Sequence, residues 1–154
     1  MVGIYLPLLT HILEDLSRQY AVTFIDTPSG IPLEELELYT IATHQIIVLE
    51  LERVPKNEIG VYIYNELEKY LNLDMDGRME HGVILNKVDK LSQKYIIDYI
   101  EENLEIPVLG VIPLDGAVVE SISLKSPFLF EFPHSDASIA LKDCGKVLEK
   151  WLFE

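Results

Sequence analysis

Residues 24–30 read FIDTPSG, and the apolar run leading into them, AVTFID at 21–26, ends in an aspartate followed at once by Thr-Pro. If 21–26 is a strand of a parallel sheet, Asp26 stands at its carboxyl edge, where open α/β sheets take their ligands. A carboxylate there can hold a magnesium ion through water. Gly30, having no Cβ, lets its backbone N–H come close to a terminal phosphate. The same residues are also explained by an ordinary strand closed by an Asp-Thr-Pro turn, since Asp and Pro both favour turns.

The surrounding chain repeats this alternation of short apolar runs and longer amphipathic stretches, which is the pattern of strand–helix units around a parallel sheet. Three further runs read as strands: 45–51 (QIIVLEL), 82–86 (GVILN) and 107–112 (PVLGVI). Near-continuous Val, Ile and Leu is what strands buried on both faces require. Helical spacing is expected at 6–19, 33–42, 57–71, 92–103, 118–124 and 136–153. Pro32 and two glutamates open the second of these, and Ser92 is placed to cap the fourth. Gly145 weakens the middle of the last helix.

Two further strand ends carry polar groups. VILNKVDK at 83–90 ends a strand in N-K-x-D. Asn86 and Asp89 are then placed to read a purine edge, or to act as cap and turn residues. IPVLGVIPLDGAVVESI at 106–122 runs a strand into Pro113 and Asp115 before a short helix. Proline fixes the exit direction, and a cap role is sufficient for Asp115.

Taken in order, the Asp-Thr-Pro-x-Gly strand, the LNKVD strand and the IPVLGVIPxD strand resemble the carboxyl-terminal portion of MinD/ParA-type P-loop ATPases. The resemblance extends from Tyr20 onward and includes QIIVLELERVPKNEIGVYIYNEL and the closing FPHSDASIALKDCGKVLEKWL. It implies a three-layer α/β/α sandwich with a mostly parallel sheet, in one domain over 1–154, incomplete at its amino-terminal side. It also implies ATP and Mg2+ as cofactors, with GTP open as a competitor because of the N-K-x-D spacing. Asp26 becomes the magnesium-associated acid and Gly30 the γ-phosphate sensor. Asn86 and the backbone of Pro113 to Asp115 lie beside the base. A homodimer, as in the family, is the implied assembly.

The family's glycine-rich, lysine-bearing phosphate loop is not found in these residues. The twenty residues before Ala21 hold Gly3 and no lysine, and the G-x4-G spacing from Gly77 to Gly82 enters a strand rather than leaving one. Such a loop cradles phosphates with its N–H groups, while its Lys neutralises them. The expectation is therefore a nucleotide-binding domain remnant that does not hydrolyse nucleotide alone and acts as a binding or regulatory partner. The alternatives are an ATPase or GTPase completed by a P-loop-bearing partner chain, and a membrane-attached positioning factor in cell division or partition.

Composition narrows these classes. Twelve Lys and Arg against 26 Asp and Glu give a net charge of −14, which repels phosphate backbones and anionic lipid. Nucleic acid is excluded as a partner on this ground, and a cytoplasmic protein is expected. The GKVLEKWLFE tail at 145–154 has an apolar stripe beside Lys146 and Lys150, but Glu149 and Glu154 interrupt the basic face. That stripe packs more simply on the sheet than on a membrane. The lone Cys144 and four scattered histidines offer neither a disulfide nor the usual zinc spacings.

Overall fold

Three runs expected to be strands do form one parallel sheet, in the order β1 (His44–Glu50), β2 (Glu80–Val88), β3 (Val108–Pro113). The computed structural model describes residues 6–27, 41–72, 77–89, 91–104 and 106–154. Its contacts divide the chain into two units, Met1–Thr43 and His44–Glu154, each described by itself below.

In the first unit, α1 spans Leu6–Gln19, the range its apolar spacing predicts. Arg18 lies in the last turn, where a cation favours the helix dipole. The strand expected at 21–26 does not form: residues 21–27 adopt neither helix nor paired strand. Phe24 is 67% exposed and Ile25 39%. A strand needs a hydrogen-bonded neighbour, and among the described residues this segment has none. Gly30 and most of the helix expected at 33–42 lie outside the described residues.

In the second unit, β1 pairs with β2 from His44↔Glu80 to Glu50↔Asn86, and β2 pairs with β3 from Val83↔Val108 to Val88↔Pro113. Parallel neighbours need crossover connections, which α2 (Ile59–Leu71) and α3 (Gln93–Leu104) supply. Both start within two residues of the expected positions. They bury Ile59, Ile63, Leu67, Ile96 and Ile100 against Ile47, Leu49, Val83 and Leu85, forming the main core. Three- and four-residue spacing along each helix puts those side chains on one face.

The opposite face receives α6 (Asp136–Phe153), which packs on β3 through Ala137 and Cys144. Between them run α4 (Gly116–Leu124) and the single turn α5 (Phe128–Glu131), which the sequence pattern did not announce. The tail stripe is partly committed to this packing: the Trp151 ring meets His44 edge-on at 4.8 Å between centroids. Val147 and Phe153 stay exposed. No described helix is long and apolar enough to cross a membrane.

Two register shifts shape β2 and β3. Partners step from Val83↔Val108 to Ile84↔Gly110, so Leu109 is an extra residue, and its side chain lies over Gly82. A Cβ on Gly82 would stand 2.4 Å from the Leu109 Cδ1. The second shift, between Asn86 and Val88, leaves Lys87 as the extra residue, with φ at 56°. An added residue of this kind bends the strand and re-aims its side chains, and such bulges recur beside functional sites.

Gly145 meets no neighbour that an added Cβ would touch and sits mid-helix in α6. Gly145→Ala should therefore raise stability by about 0.5–1 kcal/mol, through reduced unfolded-state entropy and better helix propensity. Thermal or urea unfolding of the variant checks this.

Candidate functional site at the carboxyl edge of the sheet

Three strand ends converge at the carboxyl edge of the second unit. β1 runs out into Leu51 and Glu52, whose chain is held by the Leu51 N–H donating to the Asn86 carbonyl at 3.0 Å. β2 ends in Asn86, Lys87 and Val88, with Asp89 just beyond it. β3 ends in Pro113, and Leu114 beyond it donates to the Val88 carbonyl at 3.2 Å. Asn86 and the Pro113–Leu114 backbone are thus fixed on adjacent strands, as the register Asn86↔Ile112 and Val88↔Pro113 requires.

Lys87 occupies a left-handed backbone position that a residue with a Cβ reaches only at some cost. What holds it is visible on both sides. Its N–H donates to the Asn86 Oδ1 at 3.0 Å. Its Nζ donates to the Glu50 carboxylate at 3.0 Å and stands 3.5 Å from Glu52. The hydrogen bond that Lys87 donates to Glu50 raises its pKa, so the ammonium is kept charged. The Asn86 side-chain amide nitrogen is a hydrogen-bond donor that the contact with Lys87 does not use.

Asp89 is similarly committed. Its carboxylate takes Lys56 at 3.0 Å and the Leu91 N–H at 3.3 Å. Hydrogen bonding from Lys56, then from the Leu91 N–H, lowers its pKa. The group contributes to folding above the unfolded carboxylate value, and the contribution is lost as pH falls through the lower folded value. The pair is exposed, so its effect on stability is small. NMR titration of the Asp89 carboxyl carbon should place its midpoint below that of an unpaired aspartate. In Lys56→Met the midpoint should rise, and an unchanged midpoint would remove Lys56 as the main cause.

Asp115 has two duties at once. Its Oδ1 accepts from the Ala117 N–H at 2.9 Å and caps α4; its Oδ2 accepts from the Ala137 N–H, also at 2.9 Å, in the first turn of α6. One carboxylate therefore satisfies orphan donors at two helix starts. Its role in the structure is the capping one.

Beside Glu50 an open groove of about 690 Å³ runs along the start of α2, lined by Arg53, Val54, Pro55, Glu58 and Tyr62. Burial, and then the charge of Glu66, push the Tyr62 hydroxyl pKa up. Among the described residues no group of three His, Cys, Asp or Glu side chains could hold a metal ion.

The sequence-predicted residues are thus placed unequally. Asn86, Asp89, Pro113 and Asp115 lie at the ends of β2 and β3. Asp26 is exposed in the first unit, on the irregular stretch 21–27, and Gly30 falls outside the described residues. Sequence reasoning missed Glu50, Glu52 and Lys56, the partners that neutralise the N-K-x-D charges. No local signal marks them, because Lys56 and Asp89 lie far apart in the chain.

No family model matches the chain. It is 28% identical over 140 residues to an uncharacterised ATP-binding protein of Methanocaldococcus jannaschii, covering 91% of this chain and 50% of that protein. Among solved structures, the MinD cell division protein of Aquifex aeolicus matches with a TM-score of 0.67 and 21% identity, over 97% of this chain and 63% of that one. The septum site-determining protein MinD of Pyrococcus horikoshii, solved with Mg-ADP, matches with a TM-score of 0.58 and 19% identity, over 94% of this chain and 57% of that one. The chain thus has a MinD-like α/β fold, and it spans half or less of the length of the curated relatives it matches.

Proposed function

We propose that these residues form the base-side half of a MinD-like ATP site, unable to hydrolyse ATP unless a phosphate-gripping loop from outside the 154 residues completes it. The observation that carries this reading is the juxtaposition of Asn86 with the Pro113–Leu114 backbone at the carboxyl edge of a MinD-like sheet. The naming of the Methanocaldococcus relative as an ATP-binding protein supports the choice of nucleotide.

Adenine is favoured over guanine by the state of Asp89. Recognition of guanine through N-K-x-D needs that carboxylate to accept from the base, in competition with Lys56 and the Leu91 N–H, which each engage one of its oxygens. The triphosphate does not fit the described edge. Lys87 is paired with Glu50 and Glu52, and Lys56 with Asp89, so a phosphate at this edge competes with those carboxylates for both lysines. Asp26 as the magnesium-side acid, and a role for the domain as a binding or regulatory partner, rest on resemblance. So does assembly into a dimer.

The test is amide shift mapping of the purified chain with Mg·ATP. The expected result is shifts at Asn86, Lys87, Leu114 and Asp115 at millimolar nucleotide, reduced in Asn86→Ala. Shifts confined to other regions, or none at all, would remove the half-site. With the phosphate-gripping segment supplied, Asp26→Ala should abolish the magnesium-dependent part of the affinity, and Asp143→Ala should not.

A further inference from the structure

We infer that Lys56 sets the base preference of this half-site: by occupying one oxygen of Asp89, it biases the site toward adenine and against guanine. This rests on the half-site reading above and deepens it by naming the residue that selects the base.

Local chain geometry brings the pair together. β1 leaves the sheet with the Leu51 N–H donating to the Asn86 carbonyl at 3.0 Å. Two turns follow at once. The Val54 N–H donates to the Leu51 carbonyl at 3.3 Å, and the Glu58 N–H to the Pro55 carbonyl at 2.9 Å. The segment between β1 and α2 is thereby carried beside the end of β2, and the Lys56 Nζ stands 3.0 Å from the Asp89 Oδ2. Asp89 is held from its other side by a turn of its own. Its Oδ1 accepts from the Leu91 N–H at 3.3 Å, and its carbonyl accepts from the Ser92 N–H at 2.9 Å. Aspartate favours such a turn because its side chain can take the N–H two residues on. The turn fixes Oδ1 and leaves Oδ2 as the oxygen whose partner can change.

The two purines respond to this pair in opposite ways. Guanine presents two neighbouring donors, N1–H and the N2 amino group, and a carboxylate reads them best with both oxygens. Adenine presents a bare N1 acceptor beside its N6 amino donor, and an unpaired carboxylate repels that N1. Lys56 therefore acts twice. It competes with guanine for Oδ2, and its charge offsets the repulsion between Asp89 and the adenine N1. The Lys56 and Asp89 side chains are 67% and 54% exposed, so a base can reach the pair and displace the ammonium. An exposed pair is weak, and its consequence is a bias rather than an exclusion. Lys87, the other cation of the N-K-x-D segment, is paired instead with Glu50 and Glu52.

The experiment is an NMR titration of the 154-residue chain with adenosine and guanosine monophosphate, read at the Asn86 and Leu114 amides. The two probes share ribose and phosphate, so the loss of a cation from the protein cancels in the ratio of their dissociation constants. The unsubstituted chain should bind the adenine nucleotide more tightly. Lys56→Met should move the ratio toward guanine by about fivefold, the upper range for an exposed ion pair. Lys56→Arg keeps a cation on Oδ2 and should keep the original ratio. Inosine monophosphate, which lacks the N2 amino group, should gain less than the guanine nucleotide. Adding Asp89→Asn to Lys56→Met should abolish the shift, because an amide has one acceptor oxygen where the carboxylate has two.

Adenine-induced shifts at Asn86 and Leu114 with an unchanged ratio in Lys56→Met would keep the half-site and overturn Lys56 as its selector. A change of ratio that survives Asp89→Asn would also overturn it, since Lys56 would then act through another group. No shift at either amide with any nucleotide would remove the half-site itself, and the role of Lys56 with it.

Discussion

Asp115→Ala should lower the unfolding free energy by about 2–3 kcal/mol, since a single cap is worth about 1 and this carboxylate makes two. Its two oxygens accept from Ala117 and Ala137, at the first turns of α4 and α6. Truncation leaves both N–H groups without an acceptor in a partly buried corner, where an unpaired donor is costly. Asn at this position keeps an acceptor for one helix and turns an N–H2 donor toward the other. Asp115→Asn should therefore fall between the wild type and alanine. Urea denaturation of the three proteins measures the order. If asparagine and aspartate prove equally stable, the bond to Ala137 contributes nothing, and the link between α4 and α6 lies elsewhere.

The second large effect is expected at Gly110, on the face of β3 that α6 covers. A Cβ there would stand 2.5 Å from the Cys144 Sγ and 2.7 Å from its Cβ. Neither atom can retreat easily, because Cys144 is buried and its own backbone lies 3.5 Å away. Gly110→Ala should cost about 1–3 kcal/mol by overpacking, near the upper end because helix and strand must separate. Cys144→Ala removes the sulfur and keeps the Cβ, so the double variant should recover part of the loss. A positive coupling in that double-mutant cycle identifies the clash as the cause, and strict additivity would refute it. Burial also pushes the Cys144 thiol pKa up, so this cysteine packs as a small apolar residue rather than as a reactive thiolate.

Both effects show where sequence reading stops. Helical periodicity placed α1 and α6 at their observed bounds, because apolar residues recur at helical spacing in both, although Leu8 and Ile12 of α1 stay exposed. The strand runs at 45–51, 82–86 and 107–112 were legible because parallel strands must be apolar on both faces. The run at 21–26 is also largely apolar and forms no strand, since strand formation depends on a neighbour that composition does not reveal. Asp115 was readable as a cap for the helix that follows it. Its second partner lies 22 residues away and carries no marker. The left-handed backbone at Lys87 was likewise hidden, because glycine is the residue that announces such a position and a lysine does not.

Those hidden contacts change the reading of the N-K-x-D segment. By spacing alone it leaves guanine open beside adenine, yet Lys87 is paired with Glu50 and Glu52, and Asp89 with Lys56. What remains is an amide and a strand-end backbone, chemistry that suits a base and offers nothing to a triphosphate. The MinD-like fold and this incomplete edge together lead to the view of a half-site that needs another segment of polypeptide.

Isothermal titration of the purified 154-residue chain with Mg·ATP and Mg·GTP tests that view most directly. The expected result is weak ATP binding, with a Kd of about 1 mM (about −4 kcal/mol), unchanged when magnesium is removed, weaker still for GTP, and without turnover. Micromolar, magnesium-dependent binding, or hydrolysis by this chain alone, would contradict it, because the phosphate-gripping chemistry would then reside within these residues.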